Sequence, residues 1–170
     1  IDDDGYFHTG DIGEIVDGNW LKITDRKKEI FKLSSGKYIA PQAIENKFKE
    51  SFFIEQLMVI GENQKFASAI ILPNLSYMKE WCASHGNEFA SNEEMIADKK
   101  VQDQIQHEVN HFNRQLGQVE RIKRFKLVAD EWSPASGVMS PTMKLKRKVL
   151  AKKYEKLIEE IFAVDAEKEG

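Results

Sequence analysis

Residues 25–41 read DRKKEIFKLSSGKYIAP, and this stretch combines three structural signals. The apolar run from Ile30 to Leu33 predicts a short strand, and the segment 34–37, with its serines and glycine, predicts the loop that ends it. Pro41 predicts the start of a helix that continues to about Glu50, because proline is favoured in the first helical turn. A strand, a glycine loop and a helix in this order indicate a domain that mixes helices with strands.

Further strands are predicted on both sides of this stretch. Before it, two alternating apolar runs, 12–16 and 20–24, flank the turn Asp17-Gly18-Asn19 and predict a β-hairpin. After it, apolar runs rich in β-forming residues predict strands at 57–61, 67–72 and 122–128.

Three longer segments have helical character, namely 75–85, 93–116 and 144–162. Gly86 follows the first of them, where glycine is a usual helix stop. In the third, apolar residues recur at helical spacing, which predicts one long amphipathic helix. Strands and helices do not alternate strictly, so the predicted fold class is α+β, with a small mixed sheet flanked by helices and preceded by the β-hairpin.

Composition limits the class of protein. With 170 residues, 19.6 kDa and 41% hydrophobic residues, the chain can form one domain plus a piece of another. Its single cysteine excludes an internal disulfide, and its net charge of -3 gives no general case for nucleic-acid binding. No apolar run approaches the roughly 20 residues of a membrane span. The single cysteine is compatible with a reducing cytosol, so we expect a cytoplasmic protein, with peripheral membrane contact left open. The acidic start, without methionine or a signal-peptide pattern, indicates a chain cut from a longer one.

Two further motifs stand on either side of residues 25–41. Phe7-His8-Thr9-Gly10-Asp11 precedes them, and Ser140-Pro141-Thr142-Met143-Lys144 lies near the other end of the chain. In this order the three elements resemble the closing motifs of the adenylate-forming enzymes. The amino-acid sequence of each motif is most similar to that of the long-chain fatty acid–CoA ligases. The resemblance extends from about Gly5 to about Ile161.

The resemblance implies a ligase reaction in two steps. ATP and a fatty acid form an acyl-adenylate and diphosphate, with Mg²⁺ accompanying the ATP, and the thiol of CoA then displaces AMP to give acyl-CoA. Residues 1–27 are implied to be the terminal hairpin of the large AMP-binding domain, and residues 28–170 the C-terminal lid domain. The implied partners are the large N-terminal domain of the same polypeptide and the fatty acid substrate. Because that domain holds the phosphate loop, the fatty acid tunnel and most contacts to ATP, CoA and Mg²⁺, we expect the chain alone to be inactive.

The resemblance assigns three residues to the adenylation step. Asp11 aligns with an aspartate that holds the ribose, a role that suits a carboxylate because its two oxygens can accept from both hydroxyls. Arg26 aligns with an arginine near the ribose and phosphate, whose oxygens suit a planar guanidinium. Lys144 aligns with the adenylation lysine, although methionine precedes it where many relatives have glycine. Lys146 and Lys148 are close enough to be mistaken for it, and Lys144 is favoured.

Three more residues are assigned to the change of domain arrangement and to the thioester step. Lys28 aligns with the hinge at which the backbone pivots between the two arrangements. Lys32 aligns with a lysine that turns toward the active site for the second step. Gly36 lies in a loop that lines the CoA channel, where a missing Cβ lets a ligand approach the backbone. This loop, 34–37, is one residue longer than in many relatives, which leaves the register between Lys32 and Gly36 open.

Two alternatives remain open at this point. Within the same superfamily, another acyl- or aryl-CoA ligase would carry the same motifs, because acyl-chain selectivity depends on the large domain. In a different class, a non-catalytic module would bind RNA or an anionic membrane through the basic stretch 144–153, which is predicted to be helical.

His107-Glu108-Val109-Asn110-His111 matches the H-E-x-x-H pattern of zinc proteases. Both histidines fall roughly opposite to the apolar face of the predicted helix, which consists of Val101, Ile105, Val109, Phe112 and Leu116. We therefore expect two solvent-facing histidines and no metal site. Cys82 lies in a predicted helix beside Trp81 and is expected to be a core residue rather than a nucleophile.

Overall fold

The computed structural model describes residue 3, residues 5–6, residues 9–26 and residues 29–163. The strands are β1 (Asp11–Val16), β2 (Trp20–Arg26), β3 (Phe31–Lys32), β4 (Tyr38–Ile39), β5 (Ile54–Ile60), β6 (Ser68–Pro73) and β7 (Phe125–Leu127). The helices are α1 (Pro41–Phe48), α2 (Leu75–Ser84), α3 (Asn92–Ala97), α4 (Lys99–Asn113), α5 (Arg147–Lys153) and α6 (Glu155–Ala163). This mixture of small sheets and helices confirms the predicted α+β class. None of these helices is long and apolar enough to cross a membrane.

The first hairpin, β1–β2, forms at the predicted place. Its strands pair antiparallel, with Asp11 opposite Arg26 at the open end. Asp17 and Gly18 in the connecting turn both have positive φ, 51° and 73°, which fits the twist of the flanking strands. Strand β2 packs against α1. Four large apolar side chains of this hairpin are exposed, namely those of Ile15, Trp20, Leu21 and Ile23.

A three-stranded mixed sheet lies between two groups of helices. Strand β5 pairs antiparallel with β6, and β6 pairs parallel with β7. Successive residues of a strand face opposite sides of the sheet, so Leu57 and Ile71 pack in one core while Met58 and Ile70 pack in another. The first core includes side chains from α1 to α4, and the second includes side chains from α5 and α6. The sheet therefore separates α1–α4 from the two C-terminal helices.

A second small hairpin pairs β3 with β4 antiparallel. The loop between them turns at Gly36, whose φ is 85° and whose amide donates to the carbonyl of Leu33 at 2.9 Å. The amide of Ser34 donates to the carbonyl of Gln64 at 2.9 Å, which anchors the loop to the connection between β5 and β6. Strand β3 lies within the predicted run, whereas β4 is too short to leave an alternating pattern in the sequence.

The predicted helical region 93–116 is divided into α3 and α4 at Asp98. This residue has an extended ψ of 137° and ends α3. Its carboxylate accepts hydrogen bonds from the amides of Lys100 at 2.8 Å and Val101 at 3.4 Å, so it caps the start of α4. Residues 93–116 contain no glycine or proline, so no residue of the kind that usually ends a helix marked this break.

The single long helix predicted near the C-terminal end is wrong, because the structure has two helices there. Residues 144–146 are not helical, and α5 begins at Arg147. Tyr154 interrupts the helix with φ -107° and ψ 22°. Its hydroxyl donates to Asp130 Oδ2 at 2.8 Å and accepts from Trp132 Nε1 at 2.9 Å, and burial raises the pKa of the phenol above its ordinary value. These tertiary bonds fix the break, and helical spacing alone does not show them.

Candidate functional site

The two predicted nucleotide contacts meet at the open end of the first hairpin. In the β1–β2 register the backbone of Asp11 lies directly opposite that of Arg26. Asp11 is exposed, and its amide donates a hydrogen bond to Thr9 Oγ1 at 3.1 Å. The threonine of the first motif thus supports the start of β1, and strand pairing brings residues of two separate motifs side by side.

Lys28, the predicted hinge, lies outside the residues that the structure describes. The same holds for Phe7 and His8 of the first motif and for position 27, at the predicted domain boundary. The hinge and the division into residues 1–27 and 28–170 therefore stay predictions.

Lys32 and Gly36 lie close together on the second hairpin. Lys32 is exposed, and its ammonium is 5.8 Å from the ring centroid of Tyr38, its cross-strand partner. A Cβ added to Gly36 would be 3.6 Å from Lys32 Cε, which is an ordinary contact. The positive φ of 85°, rather than a lack of space, is therefore what requires glycine at this position.

Lys144 lies at the end of a tight turn formed by the third motif. The amide of Ser140 donates to the carbonyl of Lys144 at 2.8 Å, and the amide of Lys144 donates to Ser140 Oγ at 3.1 Å. A β-bridge between Met139 and Leu145 closes the turn. Met143 has φ 59°, in the left-handed region that favours glycine. The turn presents the exposed Lys144 side chain on a short, hydrogen-bonded support.

The basic residues near Lys144 have different surroundings. Lys146 and Lys148 are also exposed, but both line an open groove of about 660 Å³ between β5 and the helices α5 and α6, whereas Lys144 does not. Lys153 forms an ion pair with Asp130 at 3.5 Å. The basic stretch 144–153 is thus helical only from Arg147 to Lys153, which corrects the expectation of one continuous basic helix.

A partly buried ionic network beside this turn was not predicted from the sequence. Arg147 donates to Glu45 Oε2 at 2.6 Å, to Glu29 Oε2 at 3.1 Å and to the carbonyl of Val59 at 3.3 Å. Glu45 is only 5% exposed, and its other oxygen accepts from the amide of Val59 at 2.8 Å. Glu29 also accepts from Gln42 Nε2 at 2.8 Å. The network joins α1, β5, α5 and the segment that precedes β3.

Burial is the largest single influence on the pKa values of Glu45 and Arg147. Desolvation raises the pKa of Glu45 to about 7, against the lowering effect of Arg147 and of the Val59 amide. Burial also opposes the charge on Arg147, but Glu45 and Glu29 outweigh it and raise the pKa of the guanidinium above its ordinary value. Arg147 is therefore charged at neutral pH, and Glu45 is the group of the pair that titrates near neutrality.

The histidines of the H-E-x-x-H match lie away from the core, as predicted. His107 is 75% exposed and His111 is exposed, whereas the buried face of α4 consists of Val101, Ile105, Val109 and Phe112. Glu108 accepts a hydrogen bond from Ser51 Oγ at 2.5 Å. Among the residues that the structure describes, no three His, Cys, Asp or Glu side chains come together in a way that could hold a metal ion.

Cys82 is buried in α2, as predicted. Burial raises the pKa of its thiol, the opposite of what a nucleophilic cysteine needs. Among the described residues, the predicted site residues lie at three places, which are the open end of the first hairpin, the second hairpin, and the turn before α5. Asp11, Lys32 and Lys144 are all exposed there, which suits contacts to a polar ligand that another surface also holds.

Comparison with known proteins identifies the family. Residues 28–166 match the model of the AMP-binding enzyme C-terminal domain. The chain is 37% identical over 166 residues to long-chain-fatty-acid–CoA ligase 1 of Homo sapiens, and 35% identical over 166 residues to the peroxisomal long chain acyl-CoA synthetase 7 of Arabidopsis thaliana. Both alignments cover 96% of this chain and 24% of the relative, so the chain spans about a quarter of the length of these curated relatives.

The fold is also similar to parts of solved structures. The adenylation domain of a carboxylate reductase from Mycobacterium chelonae is 25% identical with a TM-score of 0.72, over 95% of this chain and 24% of that chain. The A-PCP didomain of the carboxylic acid reductase from Segniliparus rugosus, solved in complex with AMP, has a TM-score of 0.72 at 24% identity, over 98% and 22% of the two chains. Since the family model matches most of its length, this chain belongs to the AMP-binding enzyme C-terminal domain family.

Proposed function

We propose that this chain is the C-terminal part of a long-chain fatty acid–CoA ligase. Such an enzyme converts ATP, a fatty acid and CoA to acyl-CoA, AMP and diphosphate through an acyl-adenylate. The observation that carries the proposal is the 34–37% identity to long-chain-fatty-acid–CoA ligases over 96% of the chain. The exposed positions of Asp11, Lys32 and Lys144 on strand ends and turns support it.

In this proposal residues 1–27 are the last hairpin of the large AMP-binding domain, and residues 28–170 are the mobile lid domain. The exposed apolar side chains of the first hairpin support the division, because a group of large exposed apolar side chains usually marks a surface that another protein surface covers. The large domain of the same polypeptide is the proposed partner for that surface.

Asp11, Arg26 and Lys144 are proposed to act in adenylation. The fatty carboxylate attacks the α-phosphorus of ATP, and diphosphate leaves. Asp11 accepts hydrogen bonds from the ribose hydroxyls, and Arg26 contacts the ribose and phosphate oxygens. Lys144 stabilises the negative charge that develops around the α-phosphate, and a preorganised turn suits this task because the charge needs no reorganisation during the attack.

Lys28, Lys32 and Gly36 are proposed to act in the thioester step. Rotation at Lys28 moves Lys144 away and brings the second hairpin toward the reacting centre. Lys32 then faces the active site, and the missing Cβ of Gly36 leaves room for the pantetheine arm of CoA. The contact distance between Lys32 Cε and the Gly36 position supports a shared location for the two residues.

ATP, CoA and Mg²⁺ are assigned mainly to the large domain. The carboxylate of Asp11 fits a ribose and the ammonium of Lys144 fits a phosphate, whereas the described residues bring no three metal-ligating side chains together. As the resemblance implies, Mg²⁺ is proposed to bind mainly to the large domain. On this basis the chain alone has only part of a nucleotide site and is expected to be inactive.

Acyl-CoA formation by the full-length protein tests the proposal. The protein is supplied with ATP, Mg²⁺, CoA and one of four acids, namely palmitate, octanoate, acetate or benzoate. The expected result is the highest kcat/KM with palmitate. A preference for acetate or benzoate would replace the proposal by the neighbouring class of ligase, and no AMP release with any acid would reject ligase activity. Steeply salt-dependent binding of RNA or anionic vesicles would instead favour the non-catalytic alternative.

A further inference from the structure

The ionic network around Arg147 joins two functionally different parts of the chain. Glu29 follows directly after Lys28, the proposed hinge, and Arg147 begins α5 immediately after the turn that carries Lys144. The hydrogen bond from Arg147 Nε to Glu29 Oε2, 3.1 Å long, therefore connects the segment after the hinge to the support of the adenylation lysine.

Arg147 is fixed by more than this one bond. Its guanidinium also donates to Glu45 Oε2 on α1 at 2.6 Å and to the Val59 carbonyl on β5 at 3.3 Å. The donors of a guanidinium point in fixed directions, so three acceptors on different elements define its position closely. The start of α5 cannot shift relative to α1 and β5 without breaking these bonds.

Glu29 is held from two sides. The same oxygen, Oε2, accepts from Arg147 and from Gln42 Nε2, the latter at 2.8 Å. Its side chain is 21% exposed, and a charge-assisted bond in such a partly buried place is stronger than one between neutral groups. The segment after position 28 is therefore fastened both to α1 and to α5.

We propose that Glu29 and Arg147 are positioning residues that couple rotation at the hinge to the placement of Lys144. The proposal rests on the proposed function, in which the lid rotates about Lys28. With the link intact, rotation of the backbone carries the Lys144 turn as part of one rigid body. Without it, Arg147 loses one of its three acceptors and the hinge segment is no longer tied to α5, so rotation at the hinge places the Lys144 turn less exactly. This matters because a misplacement of about 1 Å can slow a reaction step about 100-fold.

Glu29→Ala in the full-length ligase tests the coupling. This change removes the link to the hinge segment but leaves Arg147 paired with Glu45, so the buried pair in the core is kept. Acyl-adenylate formation from ATP and fatty acid should fall by about 10- to 100-fold. Thioester formation from pre-made acyl-adenylate and CoA should change by less than about threefold. The second hairpin, which carries Lys32 and Gly36, is held to the connection between β5 and β6 by bonds that this change leaves in place, including the one from the Ser34 amide to the Gln64 carbonyl at 2.9 Å. Equal loss in the two half-reactions, or no loss in either, overturns the proposal.

Glu62→Ala is the matched control. Glu62 is an exposed carboxylate that lines the same groove as Glu29 and Arg147, on the connection after β5. Its removal changes the local charge by the same amount but leaves the link intact, so both half-reactions should stay at the wild-type rate. A selective loss of adenylation in this variant as well would show that local charge, and not the link, is responsible.

A double-mutant cycle separates positioning from general damage. In a Lys144→Ala background, Glu29→Ala should cause no further loss of acyl-adenylate formation, because Glu29 acts through Lys144. If Glu29→Ala slows acyl-adenylate formation in the Lys144→Ala background by the same factor as in the wild type, the proposal is contradicted. Arg147→Lys keeps a charge for Glu45 but loses the fixed fork of donors, so it should reproduce the adenylation-selective loss.

Hydrogen exchange gives a readout that does not depend on catalysis. Glu29→Ala in the full-length protein should speed amide exchange in residues 29–32 by about tenfold or more, whereas Glu62→Ala should not, since only the former frees the segment. Unchanged exchange overturns the coupling even if the wild type is an active ligase. A wild type that forms no acyl-adenylate from any acid, in which Glu29→Ala still speeds exchange, rejects the proposed function while the link itself stands.

Discussion

Replacing Met143 by glycine should stabilise the turn that carries Lys144. Met143 has φ 59°, and a left-handed conformation costs a non-glycine residue roughly 1–2 kcal/mol. Glycine also makes the unfolded chain more flexible, which offsets about 0.5–1 kcal/mol of this gain in stability. The Met143 side chain is 55% exposed, so little packing is lost with it. The net expected rise in the free energy of unfolding is about 0.5–1 kcal/mol.

Urea unfolding of the 170-residue chain, followed by circular dichroism, measures this change. In thermal unfolding the same gain should raise Tm by about 1–4 °C for a chain of this length. Asn63→Gly is a matched control, because Asn63 also has φ 59° but asparagine adopts the left-handed region more readily than methionine. Asn63→Gly should therefore raise the free energy of unfolding clearly less than Met143→Gly does. No gain for Met143→Gly, or an equal gain for both variants, would refute the argument from backbone strain.

Four further predictions address the site. In the full-length protein, under the proposed ligase function, Lys144→Ala should slow acyl-adenylate formation by about 10²–10³-fold and largely spare thioester formation from pre-made acyl-adenylate, because one preorganised charge is lost only in the first step. Quench-flow measurements that show this pattern for Lys148→Ala instead would assign the role to Lys148. Lys28→Pro fixes φ near about -65° and should reduce one half-reaction far more than the other, whereas equal loss would place the hinge elsewhere. The folded-state pKa of Glu45, about 7, lies above its ordinary value of 4.5, so its contribution to stability is present below pH 4.5 and is lost as the pH rises through 7. The difference in unfolding free energy between wild type and Glu45→Gln should fall by about 3 kcal/mol over this range, and a flat difference would contradict burial as the cause of the shift. Gly36→Ala should lower the free energy of unfolding by about 1–2 kcal/mol in urea titrations, since φ is 85° there, and an unchanged midpoint would show that the loop relaxes.

Short sequence patterns predicted the elements whose position depends on the backbone preferences of neighbouring residues. The turn at Asp17 and Gly18 and the helix start at Pro41 depend on backbone preferences of single residues, and both form where the sequence indicates. The breaks at Asp98 and Tyr154 depend on hydrogen bonds made by side chains, which hydrophobic spacing does not record. The sequence therefore predicted which segments are helical better than where each helix begins and ends.

The ionic network was missed because its members are far apart in the sequence. Arg147 and Glu29 are 118 positions apart, and Arg147 lies among lysines that are exposed. One signal was nevertheless present in α1. Glu45 stands at helical spacing with Pro41, Ile44 and Phe48, which are all buried, and a carboxylate on an apolar face needs a buried partner. The sequence could have indicated that Glu45 has such a partner, but not which residue it is.

The uncovered first hairpin also affects how the chain behaves in concentrated solution. In the described part of the chain, β1 and β2 form a two-stranded sheet with no third strand. Its exposed apolar side chains include Trp20 and Leu21. Edge strands with exposed apolar side chains can pair with strands of other molecules, which leads to aggregation. We therefore expect residues 11–26 to be a site of association between copies of this chain at high concentration.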